Sequence, residues 1–89
     1  MLALSGELDV VSAPELELCL NEVMAEPHDR VVLDLSDLAF VDSAGVSVLI
    51  KARKDAELSG RTLVLGRPTE QVQRVFALVG LADWLTFDS

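Results

Sequence analysis

The sequence predicts one α/β domain, residues 1–89, built on a mostly parallel four-stranded sheet with alternating helices. Three observations favour this fold class. Strand-like and helix-like segments alternate along the chain, as in β-α-β-α-β-α-β proteins with crossover helices. Several strand segments are almost entirely apolar, as expected for strands that helices cover. A chain of 89 residues is also long enough for one hydrophobic core, but not for two domains.

The first two strands flank a helix. Residues 2–4 form a short apolar strand, which Ser5-Gly6 is expected to end. Ser12 is the predicted N-cap of a helix that ends near Ala25, because a proline follows in its first turn. The inner face of this helix carries apolar residues at three- and four-residue spacing. Residues 30–35 are rich in valine and leucine and form the second strand.

The central segment predicts a turn, a further apolar stretch and a second helix. Ser36-Asp37 is expected to form the turn, and residues 38–41 the apolar stretch. The helix should begin near Ala44, run to residue 58 and end at Ser59-Gly60. The residues expected on its inner face are Val46, Leu49, Ile50 and Ala56.

The last third of the chain predicts a strand, a helix and a short final strand. Residues 62–65 are the third strand, and residues 68–70 open a helix that Gly80 ends. Residues 84–87 form the final strand. The residues expected on the inner face of the third helix are Val72, Val75, Phe76 and Val79.

A parallel sheet of this kind brings three loops to one edge. The connections that follow its strands, residues 6–13, 36–45 and 66–68, lie at the carboxyl edge, where binding sites on such folds collect. The turns around His28 and Gly60 lie at the opposite edge, and His28 is expected to be a surface loop residue without a ligand. The carboxyl edge is therefore the predicted location of a functional site.

Composition and charge argue against several classes of protein. Fifteen acidic residues against seven basic ones give a net charge of −8, which disfavours binding to a nucleic-acid backbone or an anionic membrane. No apolar run approaches the roughly 18–20 residues of a membrane span, and the N-terminus lacks the basic residues of a signal peptide. Cys19 is the single cysteine and cannot form an internal disulfide; it and Trp84 should be mainly packing residues. A cytoplasmic protein is expected.

The sequence carries no motif for nucleotide binding or catalysis, so we expect neither an enzyme nor a cofactor. The glycines follow neither the P-loop nor the dinucleotide-binding pattern. Ser43 resembles a catalytic serine between strand and helix. However, a nucleophile elbow needs glycine where Val41 stands, and His28 is expected at the far edge. One histidine and one cysteine on different elements make no zinc site, and we expect Asp9 and Asp42 to be solvated caps rather than cation ligands.

Ser43 stands where an apolar strand stops and a helix begins. A helix N-terminus stabilises an added phosphate, because its free N–H groups and its dipole favour negative charge. Phosphorylation would add a charge of about −1.5 to −2 beside Asp42 and, across the shared edge, near Asp9. If a partner protein covers this edge, that charge would fall inside the interface. Helix capping by Asp42 or Ser43 explains the same residues, and position alone favours capping.

Several segments, in order along nearly the whole chain, resemble the successive signatures of the STAS family. The best-known members of this family are bacterial anti-sigma factor antagonists, also called anti-anti-sigma factors. The Asp-Ser-x-Gly segment alone is a weak signal, but the segments taken together are specific. They are residues 6–9 (GELD), 12–14 (SAP), 31–35 (VVLDL) and 40–46 (FVDSAGV), with Gly60-x-Thr62-Leu63 and Val79-Gly80-Leu81 later in the chain.

The resemblance implies that Ser43 is the phosphoacceptor of a switch that other proteins bind. Unphosphorylated, the domain would bind an anti-sigma factor that carries a histidine-kinase-like ATPase domain, and would so release a sigma factor for transcription. Phosphorylated by that kinase, it would leave its partner, and a serine phosphatase would reset it. The contact surface that the family implies consists of Asp9, Val10, Val11, Ser12, Asp42, Ser43, Ala44, Gly45 and Val46.

Two alternatives remain open beside this interpretation. Family members usually have a strand before residues 6–9, and we expect that N-terminal strand to be missing here, since almost nothing precedes Leu2. The exposed sheet edge could then pair with a second copy to form a homodimer. The same fold also serves as a subunit of larger assemblies, such as a lipid-transport or stress-signalling complex, that need no phosphorylation. The Asp42-Ser43 pair favours the phosphorylated switch.

Overall fold

Helices and strands alternate in the computed structural model, which describes residues 2–27 and 29–86, with the backbone alone for Thr86. The predictions for His28 and Phe87 lie outside the described residues. A short 3-10 helix, Ala82–Trp84, precedes the last strand. The other elements of the described ranges are β1 (Leu2–Leu8), α1 (Ala13–Met24), β2 (Arg30–Val41), α2 (Ser43–Leu58), β3 (Thr62–Gly66), α3 (Glu70–Leu78) and β4 (Leu85–Thr86).

The described strands form one parallel sheet in the order β1-β2-β3-β4. Leu33 on β2 pairs with Leu2 on β1 and with Leu65 on β3. The predicted parallel α/β fold is confirmed, and the described part of β4 begins at Leu85, one residue later than predicted. Within the described residues β1 lies at one edge of the sheet, and its pairing with a second copy stays a prediction.

β2 is one continuous strand, so the turn predicted at Ser36-Asp37 is wrong. The pairing of β2 with β1 shifts there, because Ala3 pairs with Asp34 whereas Ser5 pairs with Asp37. β2 thus holds one residue more than β1 over this stretch, which is a β-bulge. The carboxylate of Asp34 accepts a hydrogen bond from the Ser36 N–H at 3.0 Å. The polar residues that suggested a turn therefore stabilise a bulge.

β1 continues past the point where the sequence predicts its end. Gly6 has a φ of +78°, which glycine adopts at little cost, and it lies beside a second register shift between β1 and β2. The strand therefore runs to Leu8 instead of stopping at Leu4. Every second residue of β2 is buried up to the first register shift. Beyond it the buried residues are Leu38 and Val41, each three positions after the buried residue before it.

Side chains cap two of the three described α-helices at their N-termini. Asp42 caps α2, since its carboxylate accepts a hydrogen bond from the Gly45 N–H at 3.1 Å. Thr69 caps α3 in the same way. Ser12 stands directly before α1, as predicted, but its hydroxyl makes no capping hydrogen bond. The prediction for Ser12 was therefore right in position and wrong in chemistry.

One hydrophobic core joins the helices to the sheet, but two residues predicted to face inward do not belong to it. Ile50 is 44% exposed and Val79 is 49% exposed. Val79 lies beyond the end of α3, and Ile50 lies about 100° around α2 from the buried Leu49. The larger core residues are Leu8, Leu16, Leu20, Val31, Leu33, Leu35, Leu38, Val41, Val46, Leu49, Leu63, Leu65, Val72, Phe76 and Leu85.

Trp84 connects the 3-10 helix to β3 and α2. Its indole packs against Phe76 with the ring centroids 6.0 Å apart, and its N–H donates to the carbonyl oxygen of Leu63 at 3.0 Å. The guanidinium of Arg53 lies 4.8 Å from the centroid of the indole ring. Trp84 and Cys19 are both partly buried, which agrees with the predicted packing roles.

Candidate functional site

The carboxyl ends of β1 and β2 lie side by side and carry the two segments that the sequence singled out. Leu8 at the end of β1 pairs with Val41 at the end of β2. The N–H of Asp42 then donates to the carbonyl oxygen of Leu8 at 3.0 Å, so the two strands stay paired up to the point where both loops begin. The turn that starts at Asp9 and the start of α2 at Ser43 are therefore neighbours, as the edge argument predicts.

The turn after β1 is stabilised by Asp9 and Ser12. The carboxylate of Asp9 accepts hydrogen bonds from the N–H groups of Val11 at 3.0 Å and of Ser12 at 3.1 Å. The hydroxyl of Ser12 accepts from the Asp9 N–H at 2.9 Å and lies 2.9 Å from the carbonyl oxygen of Glu7, to which it can donate. The hydrogen bond from the Ser12 N–H is the main reason why the pKa of Asp9 lies below its ordinary value. This network holds the turn in one shape.

The same network leaves two valines exposed. Val10 is 70% exposed and Val11 is 81% exposed, because the polar side chains of Asp9 and Ser12 bond to the backbone of their own turn. Two adjacent β-branched side chains on a fixed turn present apolar surface with little rotamer entropy to lose on contact. The turn therefore presents an exposed apolar surface of fixed shape.

Ser43 is the first residue of α2 and is exposed to solvent. Among the described residues, no group forms a hydrogen bond with its hydroxyl, whereas its carbonyl oxygen accepts from the Ser47 hydroxyl at 2.9 Å. Asp42, not Ser43, supplies the capping oxygen of α2. Helix capping therefore explains Asp42, but it does not explain Ser43, whose hydroxyl stabilises no part of the described structure.

Gly45 and Val46 cannot form part of an exposed contact surface, so the prediction for these two residues needs correction. Both are buried, Val46 with 4% exposure. A Cβ atom on Gly45 would lie 2.6 Å from Cγ of Leu8 and 2.9 Å from Cγ2 of Val41. These residues therefore support the surface from beneath, because they let the first turn of α2 approach the strand ends closely.

The start of α3 completes the carboxyl edge, where the sequence predicts residues 66–68; the contacts that Thr69 and Gln71 make there were not predicted. β3 ends at Gly66, opposite Asp34, so it does not pair with the second half of β2. Side chains take its place there, since the Thr69 hydroxyl donates to the Leu38 carbonyl at 2.9 Å and the Gln71 amide oxygen accepts from the Val41 N–H at 3.3 Å. The sequence indicates a helix start at residues 68–70. The hydrogen bond from the Thr69 hydroxyl to Leu38 could not be predicted, because it requires β2 to extend beyond the end of β3.

Two features of residues 2–27 and 29–86 bear on other functions. No group of three or more histidine, cysteine, aspartate or glutamate side chains in these ranges could hold a metal ion. No helix in them is long and apolar enough to cross a membrane.

Fold and site define a small parallel α/β domain with an exposed serine at a helix N-terminus beside an apolar turn. A model of the STAS domain family matches residues 1–89, and the chain belongs to this family. An anti-sigma-B factor antagonist from Staphylococcus epidermidis is 31% identical over 78 residues, which cover 88% of this chain and 72% of the relative.

Solved structures of related domains support the same assignment. The crystal structure of an anti-sigma factor antagonist from Mycobacterium paratuberculosis superposes with a TM-score of 0.85 at 26% identity, covering 98% of this chain and 74% of that one. SpoIIAA, an anti-sigma factor antagonist, superposes in its unphosphorylated form with a TM-score of 0.84, covering 98% of this chain and 76% of that one. At 23% identity, SpoIIAA shows the shared fold alone.

Proposed function

We propose that this protein is an anti-sigma factor antagonist that binds an anti-sigma factor while Ser43 is unphosphorylated and releases it once Ser43 is phosphorylated. Transcription through a sigma factor would follow this exchange in the cytoplasm. The observation that carries the proposal is the exposed Ser43 hydroxyl, which lies at the start of α2 without a hydrogen-bond partner among the described residues. The 31% identity to an anti-sigma-B factor antagonist supports the class of partner.

The proposed contact surface is the carboxyl edge around the ends of β1 and β2. Val10 and Val11 supply its apolar area. Gly45 and Val46 are left out of direct contact because they are buried. The residues that remain accessible are Asp9, Val10, Val11, Ser12, Asp42, Ser43 and Ala44.

Phosphorylation would act on this surface through charge and desolvation. In the free protein a phosphate on Ser43 is tolerated, because the N-terminus of α2 and water both stabilise it. In the complex the same phosphate would be buried against a partner shaped for a neutral hydroxyl, beside the carboxylate of Asp42. A loss of about 3 kcal/mol weakens binding by about a hundredfold.

We assign the chemistry to the partners and not to this chain. The partner's histidine-kinase-like ATPase domain would transfer the γ-phosphoryl group of ATP to the Ser43 oxygen, with ADP leaving and the hydroxyl proton passing to a base of the kinase. A serine phosphatase would hydrolyse the ester with water and return free Ser43 and inorganic phosphate. The domain itself would act as a substrate and a binding module, without a catalytic residue or cofactor.

The proposal is tested by binding and phosphorylation assays with purified anti-sigma factors from the genome that encodes this chain. We expect ATP to place phosphate on Ser43, as located by mass spectrometry, and Ser43→Asp to weaken binding about a hundredfold. Ser59→Asp is the control, because Ser59 is exposed at the opposite end of α2 and should leave the affinity unchanged. Stable binding that is indifferent to Ser43→Asp would favour a subunit of a larger assembly instead.

A further inference from the structure

The two residues directly before Ser43 are held from opposite sides of β2. The N–H of Asp42 donates to the carbonyl oxygen of Leu8 at 3.0 Å, on the side of β1. The N–H of Val41 donates to the side-chain amide oxygen of Gln71 at 3.3 Å, on the side of α3. Both hydrogen bonds therefore restrain the backbone that carries the Ser43 hydroxyl. The second one is made by a side chain, so a substitution can remove it without changing either strand.

On the side of α3, the last part of β2 extends beyond its neighbouring strand. β3 ends at Gly66, opposite Asp34, well before Val41. The Thr69 hydroxyl donates to the carbonyl oxygen of Leu38 at 2.9 Å, and Gln71 bonds to Val41 further along the strand. Two backbone groups near the end of β2 thus bond to side chains from the start of α3, where a neighbouring strand would otherwise supply the partners.

The start of α3 is itself firmly placed, so it can support the end of β2. The Thr69 hydroxyl caps the helix by accepting from the Val72 N–H at 3.4 Å. Pro68 and Val72, on either side of this cap, are both buried. Gln71 follows in the first turn and is half-buried. Its amide oxygen therefore belongs to a rigid element, which positions a group more precisely than a loop does.

We propose that Gln71 is a positioning residue that holds the Ser43 hydroxyl in place for phosphoryl transfer. This inference rests on the proposed function and adds to it a residue on another helix that controls how the phosphoacceptor is presented. Without the hydrogen bond from Val41 to Gln71, the end of β2 would be restrained from the side of β1 alone, and the hydroxyl would sample more orientations. A displacement on the order of 1 Å at a reacting group lowers the rate of a transfer reaction severely.

Amide hydrogen exchange in the unbound protein tests the hydrogen bond itself. Gln71→Ala should speed exchange of the Val41 N–H about fivefold, because that N–H loses its acceptor. Gln71→Glu should restore slow exchange, since a carboxylate oxygen can accept in the same place and negative charge is favourable in the first turn of a helix. Gln73→Ala is the matched control on the same helix. The Gln73 amide donates to the carbonyl oxygen of Pro68 at 3.1 Å, so its loss should leave the Val41 N–H unchanged.

Phosphorylation of Ser43 by each purified anti-sigma factor with ATP tests the positioning role. Gln71→Ala should lower kcat at least fivefold and keep KM within twofold, because every residue of the proposed contact surface is retained. Gln71→Glu should recover most of kcat, and Gln73→Ala should match the unaltered protein. A general loss of stability would act differently, since a smaller fraction of folded substrate raises KM and leaves kcat unchanged. Urea unfolding of each variant measures that fraction.

The outcomes separate this inference from the proposed function. If Ser43 of the unaltered protein is phosphorylated and Gln71→Ala keeps the same kcat, the function stands and the positioning role is disproved. Unchanged exchange of the Val41 N–H in Gln71→Ala, or a Gln73→Ala variant that is equally slow, would also disprove it. If no anti-sigma factor phosphorylates the unaltered protein, the proposed function and the positioning role are overturned together.

Discussion

Gly45 and Leu8 approach each other so closely that no side chain fits between them. A methyl group on Gly45 would lie 2.6 Å from Cγ of Leu8, a branch point near the backbone, so Leu8 or the start of α2 would have to shift to accommodate it. The first turn of α2 therefore lies directly against the ends of the two strands. This contact determines how far Ser43 lies from the ends of β1 and β2.

Gly45→Ala should lower the stability of the domain and displace the start of α2. Overpacking of this kind typically costs about 1–3 kcal/mol in free energy of unfolding, although alanine favours the helix more than glycine does. Urea unfolding followed by circular dichroism measures the change. Ser47→Ala, one turn away on the exposed side of α2, should stay within about 0.5 kcal/mol of the unaltered protein. Equal stability of the two variants would show that Leu8 yields without cost.

Asp42→Ala should destabilise α2 through loss of its N-cap. The Asp42 carboxylate accepts from the Gly45 N–H at 3.1 Å, and removal of such an acceptor costs about 1 kcal/mol. Asp42→Asn keeps an oxygen in the same place and should recover most of the loss. Chemical denaturation of the three proteins at neutral pH decides the matter, and an Asn variant as unstable as the Ala variant would contradict a capping role.

The sequence was sufficient for the order of elements but not for the length of β2. Ser36-Asp37 has the composition of a turn, and local propensity alone predicts one. β2 continues because β1 pairs with the second half of β2, where the extra residue of β2 forms a bulge. Such a choice depends on partners far apart in sequence, which no local pattern contains.

The adjacency of the two loops was predicted correctly, whereas the burial of Gly45 and Val46 was not. Parallel strands end at one edge of the sheet, which predicts that the loops of Asp9 and Ser43 are neighbours, and the backbone hydrogen bond from Asp42 to Leu8 confirms that they are. Whether a residue near the start of α2 is exposed depends on how closely the helix packs against the strand ends. Gly45 permits a close approach that buries Val46, and the same placement leaves Ile50 exposed.

The turn at Asp9 should make stability depend on pH in the acid range. The pKa of Asp9 is lowered in the folded protein, chiefly by the hydrogen bond from the Ser12 N–H, so the folded state favours the charged carboxylate. The contribution of Asp9 to the free energy of unfolding is therefore fully present above the pKa of Asp9 in the unfolded chain, about 4. It is lost as the pH falls through the lower pKa of Asp9 in the folded protein. Thermal unfolding from pH 7 to pH 2 measures it.

Asp9→Asn is the reference for that experiment. The free energy difference between the unaltered protein and Asp9→Asn should be constant above about pH 5 and should shrink below about pH 4. The pKa of Asp34 is also lowered, mainly by the hydrogen bond from the Ser36 N–H, but this effect is common to both proteins and cancels in the difference. A difference that stays constant down to pH 2 would contradict the role given to Asp9.

Val10 and Val11 offer the clearest separation of binding from folding. They are 70% and 81% exposed, so replacing both with serine should change the free energy of unfolding by no more than about 0.5 kcal/mol for each residue. Binding to the anti-sigma factor should nevertheless weaken at least tenfold, because the complex would bury apolar surface that the serines lack.

Leu78→Ser on α3 is the matched control, since it also removes an exposed apolar side chain but at the other end of the molecule. Calorimetric titration reports affinity and heat capacity together, and the double variant should bind with a less negative heat-capacity change than the unaltered protein. Unchanged affinity in the double variant would show that the partner does not contact this turn.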